Sequence, residues 1–353
     1  MKKNNYSKLV FVIAFLFQFK LEVNAAILVD TTQFQKFSKE KELDLTEYLK
    51  LEGGYIRQLF LTDSSLVLLD LMASSKYFFN QYSLMDKKLI RSFIKRGTKS
   101  GEVMGGFTGG VYNKETFWFH DISLNRVVTA TLAGITAIEP VKLNQISLSN
   151  FYHTVQLKDS ITLFAEGARH AENKIQELNI RTKKEINLFD VYNKRPTNIP
   201  YYAWKSAHEA FLYIKPSRDK LVMAYQFTDK VEILDLKTNK SKTISGPLNK
   251  EPKFIPRSRD GQDEAVIDDD APMAFINGFL TDKFIYLLYS GKTRNVINTD
   301  KANYIYVYNW NGNPIEKINC KKEISAFAVS ADDSIIYVFE PSSQFVLSAK
   351  LKK

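Results

Sequence analysis

Apolar residues in this chain come in short runs, and Asp, Asn, Gly and Ser separate one run from the next. Ile56–Leu61 and Leu66–Leu71 flank a polar TDSS turn, and SKYFFNQYSLMDKKLIRSFIKRG reads as strand, turn at Met85-Asp86-Lys87, strand. ETFWFHDISLNRVVTATL repeats the arrangement, with strands from Thr116 and Arg126 around a turn at Ser123–Asn125. The pattern returns at DSITLFAEG, at DKLVMAYQFTDKVEILDLKTNKSKTISGP, at DKFIYLLYSG, and from Asn303 to Pro341. Runs of about four to eight Val, Ile, Tyr and Phe bounded by turn formers are the signature of strands. Stripes of helical period are scarce; the pattern predicts short helices only around Phe34–Leu49 and within Tyr201–Phe211.

The units resemble one another. DKVEILDLKTNKSKTIS, NYIYVYNWNGNPIEKIN and SKYFFNQYSLMDKKLIRSFI each hold an alternating strand, a polar turn and a second strand. Each lies beside a further strand pair such as DDSIIYVFE or DKLVMAY, which makes a four-stranded antiparallel unit. Such a meander leaves its edges open unless it packs radially on copies of itself. Recurrence at this period is the mark of propeller blades, and a spacing of about 55 residues gives about six of them in residues 26–353, with five or seven as alternatives. The expected fold is therefore an all-β propeller, most simply of six four-stranded blades, with a pair of β-sandwiches or a β-solenoid as alternatives. The final apolar run, from Gln344, is expected to pair with N-terminal sequence and close the ring, bringing residues near 28–60 and 344–352 into one blade. Two polar, proline-containing stretches, 179–200 and 249–272, read as long loops able to cover one propeller face; loops of that length are usually functional or disordered.

The first residues read differently. Lys2, Lys3 and Lys8 precede an apolar stretch from Leu9 to Phe19, and Val23-Asn24-Ala25 offers the small residues a signal peptidase needs. Residues 1–25 are expected to be a cleaved signal peptide and 26–353 a single propeller domain, periplasmic or secreted. No cysteine lies near the cleavage point, so no lipobox is expected, and no later stretch approaches the length of a membrane span. The formal charge of +10 is spread as single lysines. Nucleic-acid binding, which needs a basic footprint and a recognisable module, is not expected. The single cysteine, Cys320, excludes an internal disulfide and reads as a small buried hydrophobe.

The stretch FIKRGTKSGEVMGGFTGGVY, Phe93–Tyr112, resembles the glycine-rich segment of the TolB-like six-bladed propeller proteins, with Gly97, Gly101 and Glu102 as the matching residues. Lys99 and Ser100 stand where that family usually has a glycine and a proline. LVMAYQFTDKVEILDL, FIYLLYSG and YIYVYNWNGNPIEKI extend the resemblance over most of the chain. It implies a propeller and an envelope location of the kind found among secreted proteins of Bacteroidetes. The family shares no established activity, so the resemblance implies no reaction.

Chemistry-bearing residues are few. The run GGFTGG, Gly105–Gly110, precedes a strand rather than a helix, so it reads as a turn or a close backbone approach, not a phosphate loop. Four histidines, His120, His153, His170 and His208, form no HExxH motif; convergence of three on the axis would make a metal site. Glu102, Glu166 and Glu209 are the acids least explained by turns, and with His120, His153 and His208 they are the candidates for acid–base chemistry. Asp260, Asp263, Glu264 and Asp268 are dense enough for a loose Ca²⁺ site, although the spacing is not that of an EF-hand; no cofactor is otherwise expected. Tyr201, Tyr202 and Trp204, in IPYYAWKSAHE beside the first long loop, have the composition of a recognition surface.

The reading favoured by these features is a secreted, non-catalytic binding or scaffolding propeller that recognises a protein, peptide or glycan in the bacterial envelope. One alternative is a hydrolase or lyase acting on polysaccharide at the central channel, which predicts converging carboxylates or histidines. Another is an accessory subunit of an envelope complex, which predicts an exposed apolar patch beside residues 249–272.

Overall fold

The computed structural model describes residues 29–32, 36–113, 115–132, 143–168, 171, 173–189, 195–249, 251–259 and 262–351. Residues 1–25, where a signal peptide is expected, lie outside them, as do His170 and Asp260.

Among the described residues the strands form six blades, each built on an antiparallel meander, and a separate two-stranded hairpin. Blade 1 is Ile56–Leu61, Ser65–Asp70, Tyr77–Ser83 and Leu89–Arg96, with Glu102–Val103 added in parallel at its outer edge. Blade 2 is Gly109–Tyr112, Thr116–Asp121, Arg126–Thr131 and Asn144–Ser147. Blade 3 is Thr154–Leu157, Thr162–Glu166, Ile175–Asn179 and Lys184–Phe189. Blade 4 is Ala210–Ile214, Lys220–Tyr225, Val231–Asp235 and Lys240–Ile244. Blade 5 is Phe275–Leu280, Phe284–Tyr289, Ala302–Asn309 and Pro314–Ile324. Blade 6 takes three strands from the C-terminus, Ala326–Val329, Ile335–Glu340 and Phe345–Lys350, and its fourth, Thr46–Lys50, from near the N-terminus. That antiparallel pairing closes the ring, as the last apolar run predicts. The first strands of successive blades touch one another all the way round, blade 6 to blade 1 included, so they line the axis.

Packing follows from the two-residue period of a strand. In Ser65–Asp70 every residue is buried. Val67 and Leu69 pack toward blade 2, while Leu66 and Leu68 pack toward blade 6. A strand buried on both faces shows an unbroken apolar run, which is why the second strand of each blade is the most visible in the sequence. Each of the six blade interfaces carries its own hydrophobic cluster, such as Trp118 and Val127 against Val155 and Leu163 between blades 2 and 3.

The N-terminal segment departs from the helix expected over Phe34–Leu49. Val29–Thr32 and Lys39–Glu42 are strands that lie parallel to the outer strands of blades 4 and 5, before Thr46–Lys50 completes blade 6. Open sheet edges offer unpaired backbone groups, and the polar KEKE run satisfies them while its side chains face water. The two stretches read as loops also hold structure. Lys184–Phe189 is the outer strand of blade 3, and Phe254–Arg259 with Gln262–Ile267 is a hairpin between blades 4 and 5. The short helix within Tyr201–Phe211 is present at Tyr201–Ala207.

Candidate functional site

The second strand of every blade ends on one face of the ring, where the first strand begins. Its last residues are Asp70, Asp121, Glu166, Tyr225, Tyr289 and Glu340. Three of these acids are tied down locally. Asp70 accepts from the Tyr55 and Met72 N–H groups at 3.0 and 2.9 Å and from Ser75 Oγ at 2.6 Å. Asp121 accepts from Arg126 Nε at 3.0 Å, and Glu340 from Ser343 Oγ at 2.6 Å and Lys322 Nζ at 2.8 Å. Glu166 differs: it is fully buried, and among the described residues neither carboxyl oxygen has a hydrogen-bond partner. An ionised carboxylate held this way is costly, so the group keeps its proton instead. Burial, and Glu209 after it, raise the Glu166 carboxyl to about 8.

His153 sits over Glu166. Its Nδ1 lies 4.0 Å from Glu166 Oε2 and its Nε2 lies 3.5 Å from Glu209 Oε2, and the imidazole is one-third exposed. The approach depends on Gly167, whose φ is +84° and at which a Cβ would meet the His153 Cβ at 2.4 Å. The His153 N–H donates to the Glu166 carbonyl at 2.9 Å, which fixes the first-strand residue beside the second. Burial raises Glu209 as well. His120 is buried close by, with Nε2 unpartnered among the described residues; burial first and His153 second lower it to about 4.

Cations stand behind these acids. Lys174 is fully buried; its ammonium meets the Tyr225 hydroxyl, which donates to Glu232 at 2.7 Å. Lys205 projects from the helix and donates to the carbonyls of Ala168, Ala171 and Asn173 at 2.9, 3.1 and 2.5 Å, so the helix fastens the loop that leaves Glu166. His208, lowered by burial, donates from Nδ1 to the Trp204 carbonyl at 2.8 Å, packs against the indole at 4.2 Å between centroids, and has Nε2 3.6 Å from Glu251.

Of the acid–base candidates, Glu166, Glu209, His120 and His153 are therefore brought together, with His208 beside them. Glu102 is apart: it pairs with Lys95 at 3.0 Å and accepts the Lys99 N–H at 2.9 Å, closing a turn of blade 1. Trp204 packs against Phe254 of the hairpin at 6.2 Å, and Tyr201 lies under Arg195 at 5.5 Å. Tyr202 shares that helix and is partly buried. Asp263 and Glu264 are neighbours on one strand of the hairpin, so their side chains point to opposite faces, and Asp268 lies beyond its end. Among the described residues no three His, Cys, Asp or Glu side chains form a group able to hold a metal ion. The glycine run is a close approach: at Gly110 a Cβ would meet the Trp118 indole Nε1 at 2.5 Å.

The axis is filled. Arg57 reaches across it, donating to the Ile276 carbonyl at 2.6 Å and lying over the Phe211 ring at 4.8 Å. Asn277 returns two bonds, to the carbonyls of Arg57 at 2.7 Å and Ser325 at 2.9 Å. The cavity left between Arg57, Gln58, Gln156 and Tyr213 is about 10 Å³, room for about one water. Sequence reasoning passed over Arg57, Asn277, Lys174 and Lys205; the only signal was polar residues at strand and helix positions that repeat as apolar elsewhere.

Six radial sheets of four or five strands, whose first strands line one axis, define a six-bladed β-propeller. The chain belongs to the TolB-like 6-blade propeller-like family, which it matches over residues 33–332. A putative exported protein from Bacteroides fragilis is similar in structure, with a TM-score of 0.57 and 13% identity over 92% of this chain and 99% of that one. The Myceliophteria thermophila Cps50 (Swd1) β-propeller domain gives 0.49 and 8% identity over 88% and 100% of the two chains. Kuenenia stuttgartiensis hydrazine synthase gives 0.47 and 10% over 85% and 97%. No curated protein matches the sequence.

Proposed function

We propose that this protein is a binding or scaffolding propeller of the bacterial envelope, exported by the leader at residues 1–25, and that it holds a protein partner on the face that carries Glu166. The observation behind this reading is how the two insertions are arranged. Helix Tyr201–Ala207 enters between blades 3 and 4, and hairpin Phe254–Ile267 enters between blades 4 and 5; both rise on that face and pack on each other. The hairpin presents Ile255, 62% exposed, and its cross-strand partner Val266. Val296 and Ile297 are exposed on the adjoining loop, which is tied to the hairpin by Arg294 Nη1 donating to the Ile267 carbonyl at 2.6 Å. Apolar side chains held out from a built platform fit a partner surface. Because the axis is filled, a ligand meets the face and not a channel.

Affinity capture from an envelope extract tests this, comparing the mature chain with Ile255→Ser/Val266→Ser. A partner retained by the first and lost by the second supports the reading; equal capture by both removes it. Secretion with Ala26 as the new N-terminus, read by mass spectrometry, is expected. The convergence of Glu166, Glu209 and His153 favours a second reading, hydrolysis or lyase cleavage of a polysaccharide, with a protonated acid beside a base. Polysaccharide turnover abolished by Glu209→Gln would establish it over pure binding.

A further inference from the structure

A groove of about 600 Å³ opens on the opposite face, between the turns that join the third and fourth strands of blades 4 and 5. Its walls are of three kinds. Ile233 forms an apolar floor and Trp310 an aromatic side. The indole is fixed, because its Nε1 donates to the Thr281 carbonyl at 3.2 Å. Lys220, Lys240 and Lys242 line the blade 4 side, and Lys215 holds its ammonium 5.1 Å from the Trp310 ring centroid.

The lysines share one sheet face for a reason of register. Lys220 and Lys240 are both cross-strand partners of Asp235, and Lys242 is the partner of Ile233 two residues along. Asp235 is already spent within the fold: it accepts from Lys220 Nζ at 2.8 Å, from the N–H groups of Lys237 and Thr238, and from Thr238 Oγ1. Lys215 pairs with Asp219 at 3.5 Å. Lys242 donates to the Asn311 carbonyl at 2.8 Å, and neither it nor Lys240 has a carboxylate in ion-pair contact among the described residues. Among the described side chains round the groove, Lys215, Lys220, Lys240 and Lys242 outnumber Asp219 and Asp235.

We propose that this groove binds an acidic oligosaccharide, one carrying carboxylate or sulfate groups. The volume is that of a ligand site, larger than a lone anion needs. The partly exposed indole supplies apolar surface for a sugar ring, and Thr238 and Asn311 supply polar groups at the rim. Lys240 and Lys242 meet the negative charge, in an interaction weakened by salt.

The mature chain is titrated with a tetragalacturonate, a chondroitin sulfate tetrasaccharide and a neutral galactotetraose, by calorimetry and by tryptophan emission. An acidic sugar is expected to bind saturably, to change the emission of Trp310, and to lose about tenfold or more in affinity with Lys240→Glu/Lys242→Glu. The emission change is expected to vanish in Trp310→Phe, and thermal melts of both variants confirm that each is folded. No saturable binding, or the same affinity in the lysine double variant, overturns the proposal. So does equal binding of the neutral sugar. Saturation by sodium sulfate alone, or by vesicles of anionic phospholipid, with the same lysine dependence overturns the assignment to a sugar.

Discussion

Glu166 shows how the same position in a repeat meets different surroundings from blade to blade. Asp70, Asp121 and Glu340 occupy the same place in other blades and are spent on local donors. Glu166 keeps a proton in the fold and gives it up on unfolding above its ordinary value of 4.5. Its stabilisation is whole below that value and is lost as pH rises through about 8. Wild-type unfolding free energy in urea should therefore fall across that window, and fall less in Glu166→Gln, by up to about 5 kcal/mol. Glu209, raised in the same direction, leaves part of the slope in the variant. Parallel curves would show that Glu166 is ionised. His120 acts with the opposite sign: lowered to about 4, it stabilises above its ordinary value of 6.5 and that contribution is lost as pH falls through about 4. Gly110 makes a separate residue-scale test. Gly110→Ala, against the Trp118 indole, should cost about 1–3 kcal/mol, whereas Gly105→Ala, with nothing nearer than Ser123 Oγ at 3.6 Å, should be near neutral in the same melts.

At the scale of elements, strands buried on both faces were legible because their apolar runs are unbroken, as in Ser65–Asp70 and Phe284–Tyr289. Edge strands were not. KEKE and KEINLF carry mostly exposed side chains, and only their pairing makes them strands, KEKE with Pro314–Ile324 far along the chain and KEINLF with the preceding Ile175–Asn179. A polar, proline-flanked run such as Phe254–Ile267 likewise hides a hairpin whose support comes from Trp204, fifty residues earlier in sequence. The convergence of His153, Glu166 and Glu209 was legible only as residue types, because a register across two blades sets their distances. Trp204 is the keystone of the raised platform. Trp204→Ala should expose the hairpin to limited proteolysis within 249–272 while leaving the main melting transition within about 2 °C, since the blade interfaces do not use it. A large drop in the main transition would place the platform inside the propeller's cooperative unit.

For the whole molecule, the N-terminal segment makes the ring asymmetric. It covers the outer edges of blades 4 and 5 and then completes blade 6, whereas no described strand pairs with the outer edge of Lys184–Phe189 in blade 3, where Ile186 and Leu188 are exposed. Backbone groups at an uncovered edge open to solvent more readily than those held between two strands. Hydrogen exchange should therefore be faster at Lys184–Phe189 than at Lys240–Ile244, which lies between Val231–Asp235 and Val29–Thr32. A chain beginning at Leu43 lacks both parallel strands yet keeps Thr46–Lys50, the closing strand of blade 6. It should stay folded and lose protection at Lys240–Ile244 and Pro314–Ile324, the two edges it uncovers, with blades 1–3 unchanged. A chain beginning at Leu51 removes the closing strand too, and its melting should fall much further, because blade 6 is then left with three strands beside blade 1. If the two truncations melt alike, ring closure resides in the first strands round the axis and not in the pairing of Thr46–Lys50 with Phe345–Lys350.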